Sequence, residues 1–136
     1  MKTISKYRFR SGLEVDISKF LEENKVKYDY ETLTINYLKP QQKSYYRPDF
    51  ILDNGIIIEA KGLFSSADRK KHKIIKNQFG DEYDIRFVFS NSKNRIGKKS
   101  KTTYAKWCDL FGFKWHCIRT TGEYIPREWL KENGKR

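Results

Sequence analysis

Two apolar segments separated by Asp53-Asn54-Gly55 restrict this chain more than any other feature, because the pattern is best satisfied by a hairpin within a covered sheet. Arg47–Leu52 and Ile56–Lys61 read as the two strands. A two-residue loop at Asn54-Gly55 would pair Asp49 with Ala60 and turn the carboxylate to the wrong face. A three-residue loop with Gly55 left-handed pairs Leu52 with Ile56 and sets Asp49 opposite Glu59. Phe50, Leu52, Ile56, Ile58 and Ala60 then form one continuous apolar face, and Asp49, Glu59 and Lys61 meet near one end of the other. The clean separation of faces favours this second register.

Two carboxylates and a lysine converging on one sheet face have a chemical use. Asp49 and Glu59 supply hard oxygen ligands of the kind Mg²⁺ takes while it keeps waters for a substrate. A metal held there would activate a water and stabilise charge developing on a phosphodiester. Lys61 would orient the attacking water or neutralise the phosphorus centre. The same three residues would also serve as an ordinary surface ion pair, and Pro-Asp followed by Glu-x-Lys is a common pattern by itself.

The remaining elements predict an α/β domain with a mixed central sheet flanked by helices. Ser11-Gly12-Leu13-Glu14 is a capping-box pattern that opens a helix burying Leu13, Ile17, Phe20 and Leu21. Tyr28–Tyr37 reads as one strand, rich in aromatic and β-branched residues. A helix spans about Ala67 to Phe79 with Ile74, Ile75 and Phe79 inward, followed by a strand at Ile85–Ser90 and a basic loop at 91–101. Thr103–Phe111 is helical with Gly112 beyond its end, Trp115–Ile118 is a short strand, and Arg127–Glu132 is a helix started by Pro126. No linker divides the chain, so residues 1–136 read as a single domain.

The charge identifies the class of partner. Lys and Arg number 29 against 17 Asp and Glu, a formal net charge of +12 at a pI near 9.7, yet 15% of residues are aromatic. A chain so rich in aromatics folds around a core and is no disordered basic tail, and polyanions are its first candidate partners. No apolar run approaches the ~20 residues of a membrane span. An amino terminus without an apolar signal and a count of two cysteines suit the reducing cytoplasm, with no disulfide framework.

Basic and acidic blocks alternate, and three basic segments suit phosphates. They are Lys6, Arg8 and Arg10 before the first helix; Arg69, Lys70, Lys71 and Lys73 on the second; and Lys93, Arg95, Lys98 and Lys99 in the loop after Ser90. Such contacts position a DNA backbone without reading its sequence. His72, beside the second segment, is a candidate phosphate contact, a candidate helper at the scissile group, or an idle histidine on the helix surface. Cys108, Cys117 and His116 lack the spacing and the fourth ligand of a zinc site, so Cys108 is assigned to the core.

Pro48-Asp49 with Glu59-Ala60-Lys61 matches the signature of the PD-(D/E)xK nuclease superfamily. Phe9-Arg10-Ser11-Gly12-Leu13-Glu14, Arg47-Pro48-Asp49-Phe50, Asn54-Gly55-Ile56 and Glu59-Ala60-Lys61-Gly62-Leu63 more closely resemble the phage endonuclease I family of junction-resolving enzymes. Asp68-Arg69-Lys70-Lys71-His72, Val88-Phe89-Ser90 and Ile125-Pro126-Arg127-Glu128-Trp129 extend the similarity over about residues 8–132. The resemblance implies a restriction-endonuclease-like fold and a strand-exchanged homodimer in which residues 37–46 bridge the subunits. It implies metal-dependent cleavage of four-way and branched DNA, with Mg²⁺ as cofactor, Mn²⁺ as substitute and no small-molecule cofactor. It also implies that Glu14 joins Asp49 and Glu59 as a metal ligand, although by its position Glu14 equally completes the capping box with Ser11. Two other readings remain open: a nuclease of the same superfamily with a restriction, repair or transposon-end target, and a non-catalytic basic DNA-binding module.

Overall fold

A computed structural model describes residues 7–39 and 42–132. Its hairpin adopts the three-residue loop. Strand β4 (Phe50–Leu52) pairs antiparallel with β5 (Ile56–Lys61), Phe50 opposite Ile58 and Ile51 opposite Ile57, which continues to Asp49 opposite Glu59. Gly55 takes φ +91°, the left-handed conformation that such a loop requires, and its N–H donates to the Leu52 carbonyl at 2.9 Å.

The hairpin lies inside a five-stranded mixed sheet ordered β1-β4-β5-β6-β7. β1 (Tyr28–Tyr30) lies antiparallel to β4, whereas β6 (Asp84–Phe89) and β7 (Trp115–Cys117) run parallel to β5. On one face Phe50, Leu52, Ile56 and Ile58, all at most 1% exposed, pack with Ile17 and Leu21 of α1 (Gly12–Glu23) and Trp129 of α5 (Arg127–Lys131). Burial of each such side chain stabilises the fold by about 1.5–3 kcal/mol. The other face is apolar along most of its length. Ile57 and Ile85 pack there against Ile75 of α2 (Ser66–Phe79), and Phe87 and Phe89 lie in a cluster with Tyr104, Trp107 and Cys108 of α3 (Tyr104–Phe111). Helices thus cover both faces, as a mixed α/β layout demands.

The helix ends follow local chemistry. Ser11 Oγ accepts from the Glu14 N–H at 3.1 Å, and Ser65 and Asp68 form a reciprocal capping box. Thr103 caps α3, which stops at Gly112 with φ +77°. A further short helix, α4 (Ile118–Thr121), follows β7.

One expected element divides. Tyr28–Tyr37 forms no single strand: the chain turns at Glu31, whose φ of +53° breaks the extended backbone, and β1 ends at Tyr30. Past the turn, β2 (Ile35–Lys39) pairs antiparallel with β3 (Gln42–Tyr46) in a separate two-stranded sheet, Ile35 opposite Tyr46 and Lys39 opposite Gln42. Ile35, Tyr37 and Tyr46 of this sheet join the core under α2. Both cysteines are buried free thiols.

Candidate active site

Asp49 and Glu59 occupy the same end of the sheet because the hairpin register sets them opposite each other. Two helices aim their first turns at this end. α1 brings Glu14, three and seven residues before Ile17 and Leu21 and therefore on the same buried stripe. α2 brings Asp68 and His72, the latter three and seven residues before Ile75 and Phe79.

The three carboxylates gather. Asp49 interacts directly with the carboxyl groups of both Glu59 and Glu14, and its Oδ2 accepts from the Ala60 N–H at 3.0 Å. Burial, then the Glu59 charge, push Asp49 up to about 9. Burial also raises Glu59, against the opposing pull of Lys61 and Lys71. Glu14 Oε1 accepts from the Tyr30 hydroxyl at 2.5 Å and from the Arg10 N–H at 2.9 Å. Ser11 caps α1, but the Glu14 carboxylate does not close a capping box; it points to Asp49 and Tyr30. Burial and the bond to Glu14 push the Tyr30 hydroxyl up.

Lys61 lies at the rim. Its Nζ is 3.3 Å from Asp68 Oδ1, and both side chains are about four-fifths buried. Burial works against ionised Asp68, but Lys61 and the Ser65 hydrogen bonds outweigh it and hold the carboxyl below its ordinary range. The first turn of α2, where the helix carries positive partial charge, favours the same state. Beside this pair a groove of about 370 Å³ runs between β2 and α2, lined by Tyr37, Lys39, Asp68, Lys70, Lys71 and Ile74 among others.

His72 corrects the surface assignment. It is 0% exposed, and its ring stands edge-on to Tyr46, Phe87 and Phe113 at 5.0, 4.8 and 6.3 Å. A ring so enclosed presents nothing to a phosphate. Its Nε2 is 3.9 Å from Glu59 Oε1. Burial, then the Lys71 and Lys61 charges, lower its pKa to about 3, so the imidazole is neutral.

The other basic candidates are distributed as follows. Arg8, Arg10, Lys70, Lys73, Lys93, Arg95, Lys98 and Lys99 are exposed. Arg10 leans toward Glu31 at 3.3 Å, and Lys73 rests over the Phe111 ring at 4.4 Å. Arg69 is half-buried and donates to the Phe64 carbonyl at 2.7 Å; Lys71 is half-buried over the Tyr46 ring at 5.4 Å. Lys6 lies outside the described residues. His116 is held by the Glu123 carbonyl and Thr121, and Cys117 Sγ accepts from the Ser92 N–H, so both are engaged in local structure.

The donor set fits a hard divalent cation in chemistry. Glu59 Oε2 is buried without a hydrogen-bond partner, and burial and the Glu59 charge push the neighbouring Asp49 carboxyl up. An ion between them would relieve both costs. Among the described residues, no three His, Cys, Asp or Glu side chains meet in an arrangement that holds an ion by itself. Mg²⁺ needs none, since it binds through one or two carboxylates and completes its shell with water and substrate phosphate.

The family model described as phage endonuclease I matches residues 1–136. The chain belongs to the phage endonuclease I family. Within it, the chain is 45% identical over 127 residues to a protein named Endonuclease I from Escherichia phage T7, covering 93% of this chain and 81% of that one. It is 51% identical over 127 residues to Endodeoxyribonuclease 1 of Enterobacteria phage T3, covering 93% and 80% respectively. For this family member, spacing alone singled out Asp49, Glu59 and Lys61. Tyr30, Tyr46 and Asp68 received no role from it. The signal for two others was present: Glu14 and His72 are polar residues standing on the apolar stripes of their helices.

Proposed function

We propose that the protein is a Mg²⁺-dependent, structure-selective endodeoxyribonuclease that resolves four-way and branched DNA junctions as a homodimer. Membership in an endonuclease family supports cleavage of DNA. One observation carries the chemistry: Asp49 meets Glu59 beside Lys61, with a Glu59 oxygen buried and unpartnered. Asp49 and Glu59 would hold Mg²⁺, or Mn²⁺ in its place, with Glu14 as a third ligand. Bound there, the ion would supply a water of lowered pKa and a counter-charge for the phosphodiester.

The protein's own groups have separable tasks. The Ala60 N–H orients Asp49, and Tyr30 with the Arg10 N–H orients Glu14. Lys61 places its positive charge at the attacking water or the phosphate, and Asp68 keeps that charge aimed. The basic segments on α2 and at 91–101 would hold the DNA backbone without sequence readout, which suits recognition by shape. No described helix is long and apolar enough to cross a membrane, and the proposed place of action is the cytoplasm of a phage host.

A homodimer supplies two such sites about a two-fold axis, one for each strand to be cut. The β2–β3 hairpin would be the bridge between subunits. Leu38 and Tyr45 on its outer face are 57% and 62% exposed, which supports a partner there. The test is cleavage of an immobile four-way junction and a linear duplex of the same sequence, by wild type and Glu59→Ala, with Mg²⁺ or EDTA. Paired, metal-dependent nicks confined to the junction and lost in Glu59→Ala are expected. Equal cutting of both substrates would move the target to DNA in general, and binding without cutting under any metal would leave a DNA-binding module.

A further inference from the structure

Four buried side-chain atoms among the described residues have no hydrogen-bond partner: Tyr46 Oη, Glu59 Oε2, and His72 Nδ1 and Nε2. All four lie together, His72 Nε2 being 3.9 Å from Glu59 Oε1 and its ring 5.0 Å from that of Tyr46. A buried polar atom without a partner costs about 1–3 kcal/mol, and native folds rarely tolerate several together. Their grouping around one proposed ligand therefore has a functional reading.

We propose that His72 and Tyr46 are positioning residues that fix the Glu59 carboxylate. This rests on the metal-dependent reading of the site and adds residues to it. His72 Nε2 lies 3.9 Å from Glu59 Oε1, about 1 Å beyond a hydrogen bond, and a small rotation of the carboxylate closes the gap. The imidazole has little freedom to move away, because Tyr46, Phe87 and Phe113 enclose it edge-on. Tyr46 arrives from β3, and its hydroxyl interacts with Glu59 without the geometry of a well-formed hydrogen bond. Lys71 lies over the Tyr46 ring, 5.4 Å from its centroid, and adds a positive field at Glu59. Partners behind a ligating side chain fix its orientation and commonly govern metal affinity as strongly as some ligands do.

The arrangement also assigns the tautomer. A neutral ring that donates to Glu59 carries its proton on Nε2.

The experiment titrates the metal-free full chain calorimetrically with Mn²⁺, without DNA, and reads the His72 tautomer from ring-nitrogen NMR. His72→Phe keeps an aromatic ring among Tyr46, Phe87 and Phe113 but removes both nitrogens, and should weaken Mn²⁺ binding by about 10–100-fold. His72→Gln, which returns an N–H near the Nε2 position, should stay within roughly threefold of wild type, and Tyr46→Phe should lie between the two. The NMR spectrum of wild type should place the proton on Nε2, and this readout stands even if His72→Phe does not fold. Equal Mn²⁺ affinity in wild type, His72→Phe and Tyr46→Phe would overturn the proposal, as would a proton on Nδ1. Absence of Mn²⁺ binding by wild type would instead overturn the metal-dependent reading and this assignment with it.

Discussion

Lys61 and Asp68 form an ion pair at 3.3 Å that joins the end of the central strand to the first turn of the second helix. The same aspartate closes the Ser65 capping box, so one side chain starts a helix and aims a cation. Asp68→Asn separates the two duties, since an amide still caps but no longer attracts the ammonium. Single-turnover cleavage of a junction should fall by about tenfold, the equivalent of ~1.4 kcal/mol, while DNA affinity and the melting temperature change little. Unchanged cleavage would show that Lys61 needs no partner.

Acid and base act on this site in opposite senses. Asp49, raised from 3.8 to about 9, keeps in the folded protein a proton that the unfolded chain sheds, so stability falls as pH rises through that window. His72, lowered from 6.5 to about 3, contributes stability that is present above pH 6.5 and lost as pH falls toward 3. Burial works against an ionised Cys117, but hydrogen bonds from Ser92 and Thr120 outweigh it and lower the thiol from 9.0 to about 7, so above pH 6.5 Cys117 adds stability as pH rises and opposes the Asp49 effect. In urea titrations of the metal-free protein between pH 7 and 9, the Asp49 contribution should appear as a more negative slope of stability against pH in wild type than in Asp49→Asn, with the Cys117 effect common to both.

Arg86 is 2% exposed, yet its guanidinium is matched by Asp84 at 2.7 Å and by Glu132 at 2.8 Å, beneath the Trp129 ring. Asp84 is the less exposed carboxylate, 19% against 37%, and it takes both Nε and Nη2. Asp84→Ala should thus cost about 2–3 kcal/mol in denaturant unfolding and Glu132→Ala about 1 kcal/mol. Equal losses would show that Asp84 and Glu132, which itself takes Nη1 and Nη2, share the clamp evenly.

Junction affinity should depend steeply on salt. If ~6–10 phosphates are contacted, binding measured by fluorescence anisotropy should weaken ~10³–10⁵-fold between 50 and 200 mM salt. Substituting exposed Lys70 or Lys98 by Ala should each lower the logarithmic slope by about one.

The hairpin register was legible because the alternative two-residue loop would have paired Asp49 with Ala60 and turned the carboxylate toward an apolar face. The break at Glu31 was not legible. A left-handed glutamate carries no glycine or proline marker, and the aromatic and β-branched residues on either side favour strands equally in two separate sheets. Glu14 and His72 were harder for a different reason. Local chemistry offered each a sufficient role, a helix cap for one and a basic surface for the other. Their positions relative to Ile17 and Ile75 placed both inside, and only tertiary packing brought Glu14 against Asp49 and His72 against Glu59.

Asp49 and Glu59 are joined by a tight hairpin, so the chain brings them together by closing one short loop, among the least costly steps in folding. Contact order favours forming this buried carboxyl pair, a local contact, ahead of the long-range pairing of β5 with β6. Proton uptake is thereby coupled to the folding transition itself. Refolding of the metal-free chain should therefore gain speed in mild acid, which stopped-flow refolding across about pH 5 to 8 would read.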